Sequence, residues 1–354
     1  MRRSRAFAAL ALVATLAIAA LPGCGGGSDT STDSSQGIAE SRPAPPKGDF
    51  PSAKGKTLAQ VVEAAAGPST LVVSPAAKVF YAGSNRYPFG VFERDGSQVD
   101  DAKVALYFAR VPLRKGTAAG TEREKEALEE ALGQPAVGPY PAAVESVATK
   151  PAFRAMTTTS DPDAATAVYS TTVDFPEDGE WRIVALLEED GELKSSLLPS
   201  ASVGAFARVP RPGQKAPLIH TPTPEDVGGD LSKITTRIPP DTQNEVDYAD
   251  VLGEEPIVLL FATPQFCQSR VCGPVADVTE QVKQIYGDKA KFIHMEIYND
   301  NDPSKKVRPQ VRAFHLPSEP WLFAIDQNGR IEAEIEGAFG VEELTSTVKG
   351  LIGE

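Results

Sequence analysis

The sequence predicts two folded regions of different class, an all-β region followed by a mixed α/β region. Three observations carry this. From about Thr70 to Val209, short apolar runs are separated by Asp-Gly turns. From about Ile234, buried-type strands alternate with amphipathic helical runs. Between them lies a proline-rich stretch that fits neither pattern. At 354 residues the chain has room for two domains and a tail.

The first element is a secretion signal, residues 1–23. Arg2, Arg3 and Arg5 form its basic start, and Ala6 to Leu21 is an almost unbroken apolar run, too short for a mature spanning helix. The run ends in "LPGC". Leu-x-Gly-Cys resembles the lipobox of bacterial lipoproteins. That resemblance implies cleavage before Cys24 and attachment of lipid to its sulfur; ordinary cleavage would leave Cys24 a free thiol. Two acyl chains on one cysteine give stable anchoring where one would be marginal. Residues 24–55, beginning "GGGSDTSTDSSQ", have little to bury and read as a disordered tether. The implied location is the outer face of the cell membrane, lipid-anchored, where disulfides persist. With Cys24 lipidated, two of the three cysteines remain to pair.

Residues 56–212 form the all-β region. "STLVVS", "YPFGVFE", "AKVALYFAR", "TAVYSTTVDF", "EWRIVALLEE" and "VGAFARV" read as strands, with turns at Asp95-Gly96, Asp178-Gly179 and Asp190-Gly191. Several short strands without intervening helices predict a β-sandwich. "DGEWRIVA" resembles the late strands of immunoglobulin-like domains in secreted bacterial proteins. Trp181 reads as a core residue. The strands are interrupted from about Pro112 to Asp163. Within that insertion "TEREKEALEEAL" predicts a short helix capped by Thr121 and Glu124, and "GQPAVGPYPAA" reads as loop. Long insertions of this kind are often functional or mobile.

Residues 213–233 read as a stiff, proline-rich connector, so a fragment from about Ala216 onward is expected to fold alone. Residues 234–354 form the α/β region. "PIVLLFAT" and "KFIHMEIYN" are buried strands. "PVADVTEQVKQIYG" is a helix with an apolar stripe at Val275, Val278, Val282 and Ile285. "SKKVRPQVRAF" is a short helix or loop. "PWLFAIDQNGRIEAEIEG" is a hairpin turning at Asn328-Gly329, and "GVEELTSTVKGLIG" is a closing helix. The order is β-α-β-(α)-β-β-α.

The chemistry sits in "FATPQFCQSRVCGPVADV", where four residues separate Cys267 from Cys272. In one regular helix, residues five apart have Cα atoms ~8.5 Å apart, beyond disulfide reach. The chain between the cysteines must therefore turn before the helix starts. Gly273-Pro274 predicts a start near Gly273, because proline favours the first helical position.

This element order, with a cysteine pair after the first strand, resembles the thioredoxin fold over roughly the last 120 residues. The whole chain then reads as multidomain: an all-β immunoglobulin-like sandwich followed by an α/β thioredoxin-like domain. "SEPWLFAIDQNGRI" resembles the superfamily's proline loop and hairpin, which implies that Pro320 is cis and packs against the cysteines. The resemblance implies thiol–disulfide exchange through Cys267 and Cys272, assisted by Pro320, on an unidentified protein substrate. The spacing departs from the superfamily's Cys-x-x-Cys. Two registers stand: Cys267 as the first, attacking cysteine, or Cys272 in that place with Val275 where its partner would be.

Two other readings of the pair remain. It can be a structural disulfide in a non-catalytic binding or assembly lipoprotein. Alternatively, Cys267, Cys272 and His315 can hold Cu(I), since thiolates are soft ligands. His315 before "PWLFAID" resembles Sco-type copper chaperones, although their cysteines have a three-residue gap. His294, mid-strand, reads as structural, and His220 as an exposed connector residue. The exchange reading calls for no cofactor. A formal net charge of −13 argues against a nucleic-acid partner.

The lipid-anchor reading makes a direct prediction. Cys24→Ala is expected to release the protein from membranes or to block its processing. A Cys24→Ala chain processed and membrane-bound like the parent in cell fractionation would refute the anchor.

Overall fold

A computed structural model describes residues 39–112 and 122–354. The signal segment, Cys24 and most of the tether lie outside the described residues, as does Thr121 of the expected helix cap.

The all-β region is two four-stranded sheets. One contains β1 (Val72–Pro75), β2 (Gly83–Phe92), β5 (Ala143–Ser146) and β6 (Ala167–Phe175), in the order β1-β2-β6-β5. The other contains β3 (Val104–Arg110), β4 (Val137–Pro141), β7 (Gly179–Glu189) and β8 (Glu192–Val203), in the order β4-β3-β7-β8. The two-residue side-chain period of a strand explains the packing. Val104, Leu106 and Phe108 of β3 point into the core between the sheets, with Tyr87, Phe89, Tyr169, Phe175 and Trp181. Ala105, Tyr107 and Ala109 point outward and are buried too.

What covers them is the end of the segment expected to be tether, together with the residues that follow it. Phe50, Ala53, Leu58 and Val61 pack on that outer face, the last two from helix α1 (Leu58–Val62). The Tyr107 hydroxyl donates to Pro51 O at 2.7 Å. Arg42 exchanges backbone hydrogen bonds with Val144, at 2.8 and 3.0 Å. From residue 39 onward the tether boundary is therefore corrected: its few apolar residues have a surface to bury against.

Three more expectations change. β4 lies where "GQPAVGPYPAA" read as loop, and β5 starts at its last residue; both are edge strands, and at an edge the prolines of β4 cost no central ladder bond. The last strand is β8, closing a two-residue Asp190-Gly191 hairpin, and "VGAFARV" is mostly turn. β8 is rich in Ser and carries Lys194 and Pro199, which mask its strand signal. Finally, besides the expected helix, α2 (Glu122–Leu132), the insertion holds the two edge strands and the single-turn helix α3 (Met156–Thr159).

The α/β region is a four-stranded sheet in the order β10-β9-β11-β12, comprising β9 (Ile257–Phe261), β10 (Lys291–Met295), β11 (Trp321–Ile325) and β12 (Ile331–Glu336). β10 runs parallel to β9, and β11 antiparallel to both β9 and β12. Helices α5 (Cys272–Tyr286) and α7 (Val341–Ile352) cover one face, with Val258, Leu260 and Leu322 beneath them. α4 (Tyr248–Val251) and α6 (Pro309–Ala313) lie against the other, over Ile257, Leu259, Phe261, Trp321 and Phe323. β9 is buried on both faces, which explains its unbroken apolar run. In α5 the stripe runs Val275, Val278, Val282 and Tyr286; Ile285, expected on it, is 59% exposed. At ~100° per residue from Val275, Tyr286 falls ~20° away and Ile285 ~80° away, at the edge of the stripe.

The expected connector is largely part of this region. Residues 213–216 bond to the β11–β12 turn and the start of β12, and Ala216, Ile219 and Thr221 are buried. The two regions also share their cores. Val147 and Val168 of the sandwich pack under α5 and α7, and Val79 packs with the opposite face of the α/β sheet. Glu336 accepts from the backbone N–H groups of Lys78 and Val79, both at 2.9 Å. Arg86 of β2 pairs with Glu343 at the start of α7. The expectation of an independently folding fragment thus meets an interface of buried apolar and ionic contacts.

The deepest of these contacts is Arg237. Its Nε donates to Asp277 Oδ1 at 2.9 Å, Nη1 to Pro239 O at 2.9 Å, and Nη2 to Phe153 O in the insertion at 2.6 Å. Asp277 Oδ2 accepts from Ala155 N–H at 3.1 Å, so one ion pair joins the insertion, the segment before β9 and helix α5. Burial pushes the Asp277 carboxyl up, and Arg237 works against that. Arginine cannot shed its proton. Asp277→Ala should therefore leave a buried, unpaired cation and cost about 3–5 kcal/mol. Urea unfolding of the full chain measures it, and a loss under ~1 kcal/mol would show that the pair does not join the regions.

Candidate active site around Cys267 and Cys272

β9 ends at Phe261 and delivers the chain, through Ala262, Thr263 and Pro264, to the surface. Phe266 N–H bonds back to Thr263 O at 3.2 Å, and Arg270 N–H to Cys267 O at 3.3 Å, so two successive turns precede the helix. Arg270 has φ +57°, a left-handed residue that reverses the chain. α5 begins at Cys272, one residue before the expected start. The turn brings the two Cα atoms to 5.8 Å, and the sulfurs form a disulfide.

The two sulfurs differ in surroundings. Cys272 is fully buried at the first position of a 15-residue helix. Cys267 is half-buried, and Ser269 Oγ lies 3.2 Å from its Sγ. Val271 offers no side-chain cap, so the first N–H groups of α5 are not consumed by one. They form the positive end of the helix dipole beside Cys272. Of the two registers, the structure makes Cys267 the accessible sulfur.

The insertion of the sandwich reaches this turn. Asp163 pairs with Arg270, and Ala165 N–H donates to Arg270 O at 3.2 Å. Gly273 lies so close to α3 that a Cβ there would stand 2.9 Å from Thr158 Oγ1. Between the insertion and the turn is a cleft of about 430 Å³, lined among others by Met156, Thr157, Ile238, Pro264, Cys267 and Arg270.

Beneath the loop lies a buried polar network. His294 Nδ1–H donates to Asp241 at 2.9 Å, and Nε2–H to Ala262 O, at the end of β9, at 3.1 Å. Facing an acceptor on each side, both ring nitrogens carry protons and the ring is a cation. Burial works against that charge, but Asp241, the hydrogen bonds and Glu296 carry the His294 pKa up to about 9. Burial likewise opposes the Asp241 carboxylate, and His294 brings its pKa down to about 2. Glu296 accepts from Thr236 N–H and Oγ1–H at 2.7 and 2.6 Å, and Thr236 Oγ1 accepts from Gln265 N–H at 3.2 Å. His294 is thus structural, as expected, and it is also the charged floor of the cysteine loop.

The Glu319–Pro320 peptide is cis. Pro320 directly precedes Trp321, which pairs with Phe261 at the end of β9. It does not line the cleft that Cys267 opens on. His315 is not brought to the cysteines as a ligand. Its ring is exposed and meets Arg208 Nη2 at 3.2 Å, and the two sulfurs are bonded to each other. Among the described residues, no three His, Cys, Asp or Glu side chains gather as a metal cage. His220 is exposed, as expected, and its ring bonds Asp247 at 2.6 Å. Sequence reading missed Arg237, Asp241, Asp277 and Glu296. The one available signal was Asp277, a carboxylate in the otherwise apolar first turns of α5.

No family model and no curated protein sequence matches the chain. Solved structures similar to it include a thioredoxin-family thiol:disulfide interchange protein from Chlorobium tepidum TLS, 16% identical, with a TM-score of 0.29; the match covers 40% of this chain and 98% of that one. A second, described as a thiol:disulfide interchange protein DsbE from Chlorobium tepidum, is 18% identical over 41% of this chain and 99% of that one, with a TM-score of 0.28. A CARDB domain from Pyrococcus furiosus is 15% identical over 38% of this chain and 94% of that one, with a TM-score of 0.16. At these values the likenesses carry no argument. The thioredoxin-like arrangement stands on the element order, the sheet and the disulfide after the first strand.

The His294 cation ties the loop's support to pH. Its folded pKa of about 9 lies above the ordinary 6.5, so its contribution to stability is complete below pH 6.5 and is lost as pH rises through 9. Unfolding free energy should therefore fall between pH 6.5 and 9, and His294→Gln should lose that slope. Equal slopes in the parent and His294→Gln, measured by urea unfolding at several pH values, would refute the assignment.

Proposed function

We propose that this chain is a membrane-anchored, extracytoplasmic thioredoxin-like protein that exchanges disulfides through Cys267 and Cys272. One observation carries the reading: a half-buried sulfur at the lip of a cleft is bonded to a buried sulfur at the start of a helix, directly after a fully buried strand. The lipobox-like "LPGC" supports the anchor, and no helix among the described residues is long and apolar enough to cross a membrane. The strand orders β1-β2-β6-β5 and β4-β3-β7-β8 support an immunoglobulin-like sandwich, since they read as A-B-E-D against C′-C-F-G.

The roles follow from the surroundings of each sulfur. A substrate thiolate attacks Cys267 Sγ, the accessible atom. The bond to Cys272 breaks, and Cys272 leaves as a thiolate stabilised by the N-terminus of α5. A second substrate thiolate then attacks the substrate sulfur of the mixed disulfide. Cys267 departs as a thiolate and the substrate leaves as a disulfide. The cysteine pair has gained two electrons and the substrate has lost two; the reverse sequence reduces a substrate disulfide.

A structural bridge is the second reading, favoured by the complete burial of Cys272 and the tying of the turn to the insertion. Against it, a loop this short gains little from cross-linking. One experiment separates them. Cys272→Ser leaves Cys267 able to attack a model peptide disulfide and unable to resolve the product, so a mixed disulfide should accumulate. Cys267→Ser leaves only the buried sulfur and should react roughly tenfold more slowly or less. Mass spectrometry reads both. A parent bridge that resists dithiothreitol until the protein unfolds, together with equal, negligible trapping by the two variants, would establish the structural bridge instead.

A further inference from the structure

We propose that the 156–164 segment of the sandwich insertion is the specificity wall of the Cys267 site, and that it selects polypeptides whose reacting cysteine is flanked by an apolar side chain. This rests on the exchange reading above and extends it by naming the class of substrate.

The cleft beside Cys267 has two walls of different origin. One is the α/β region, with Ile238, Pro264, Gln265 and the cysteine turn; the other is the insertion, from Met156 to Ala164. Single exposed apolar side chains are common, but two that adjoin in a cleft offer a contact for an apolar partner. Met156 is 56% exposed and Ile238 is 42% exposed, and both line the cleft that holds the accessible sulfur. They are held side by side, because Met156 N–H donates to Ile238 O at 2.6 Å. An unbranched thioether beside a branched aliphatic makes an adaptable apolar contact.

The rest of the cleft suits a peptide. Thr157 lines the cleft, and its buried Oγ1 has no protein hydrogen-bond partner among the described residues. Arg270 is paired with Asp163, and Asp161 adds a negative charge to the lining, so the rim does not recruit an acidic side chain. A volume of about 430 Å³ accommodates a short extended segment, not a folded surface. Cys267 at its edge defines the remaining requirement, a thiol or disulfide on that segment.

The test measures how fast the native disulfide is reduced by three reagents: a dithiol peptide with leucines beside its cysteines, the same peptide with serines there, and dithiothreitol. Each peptide rate is taken relative to the dithiothreitol rate of the same variant. The leucine peptide should react roughly tenfold faster than the serine peptide, the discrimination one apolar contact supplies. Met156→Ser and Ile238→Ser change exposed positions, and each should bring that ratio toward one, whereas Met156→Leu should keep it. A ratio near one in the parent, or one that both serine variants leave intact, overturns the specificity wall. If neither the peptides nor dithiothreitol reduces the bridge in the folded parent, the exchange reading falls and this one with it. Reaction with all three reagents without preference overturns only the wall.

Discussion

The chain between Cys267 and Cys272 must reverse before the helix begins, and most of the site follows from that constraint. Five residues along one helix would hold the sulfurs apart. The reversal uses Arg270 at positive φ, and a left-handed arginine needs outside support. The support comes from the sandwich, through Asp163 on the Arg270 side chain and Ala165 on its carbonyl. The geometry of the cysteine pair is therefore set partly by a different sheet. This also explains why Gly273 stands where it does: the helix start and α3 approach too closely for a Cβ.

Below the turn, the loop rests on charges that water does not reach. His294 holds the end of β9 through Ala262 O, Glu296 holds Thr236, and Thr236 holds Gln265. Arg237 and Asp277 fix the base of α5 to the insertion. Each buried charge in this set meets an opposite charge or a hydrogen-bonding partner, which is the condition under which such groups persist in an interior. A network of this kind holds the cysteine loop in one arrangement while Cys267 stays open to solvent.

The sandwich and the α/β region thus act as one unit. The segments that join them are those with the least regular sequence, the insertion and the proline-rich stretch. Glu336, at the end of β12, carries backbone donors of the sandwich, and the residues after Arg211 run against the start of that strand. An α/β sheet placed this way has one wall of its cysteine cleft supplied from outside its own region.

The sequence by itself determined the two fold classes, the order of the α/β elements, the buried strand leading to Cys267 and the need for a turn before the helix. These are local properties: apolar periodicity, turn dipeptides and the rise of a helix act over a few residues. It missed β4, β5 and β8; the prolines of β4 and the serines of β8 are tolerated because these strands lie at sheet edges, and edge position is not a local property. It also misjudged residues 39–55 and 213–221, where Phe50, Ala53, Ala216 and Ile219 are buried only because distant strands present a surface to them. Which sulfur is exposed, why His294 is charged and what walls the cleft were decided by tertiary structure. Each depends on groups tens to hundreds of residues apart in the chain, brought within bonding distance only when the two regions pack.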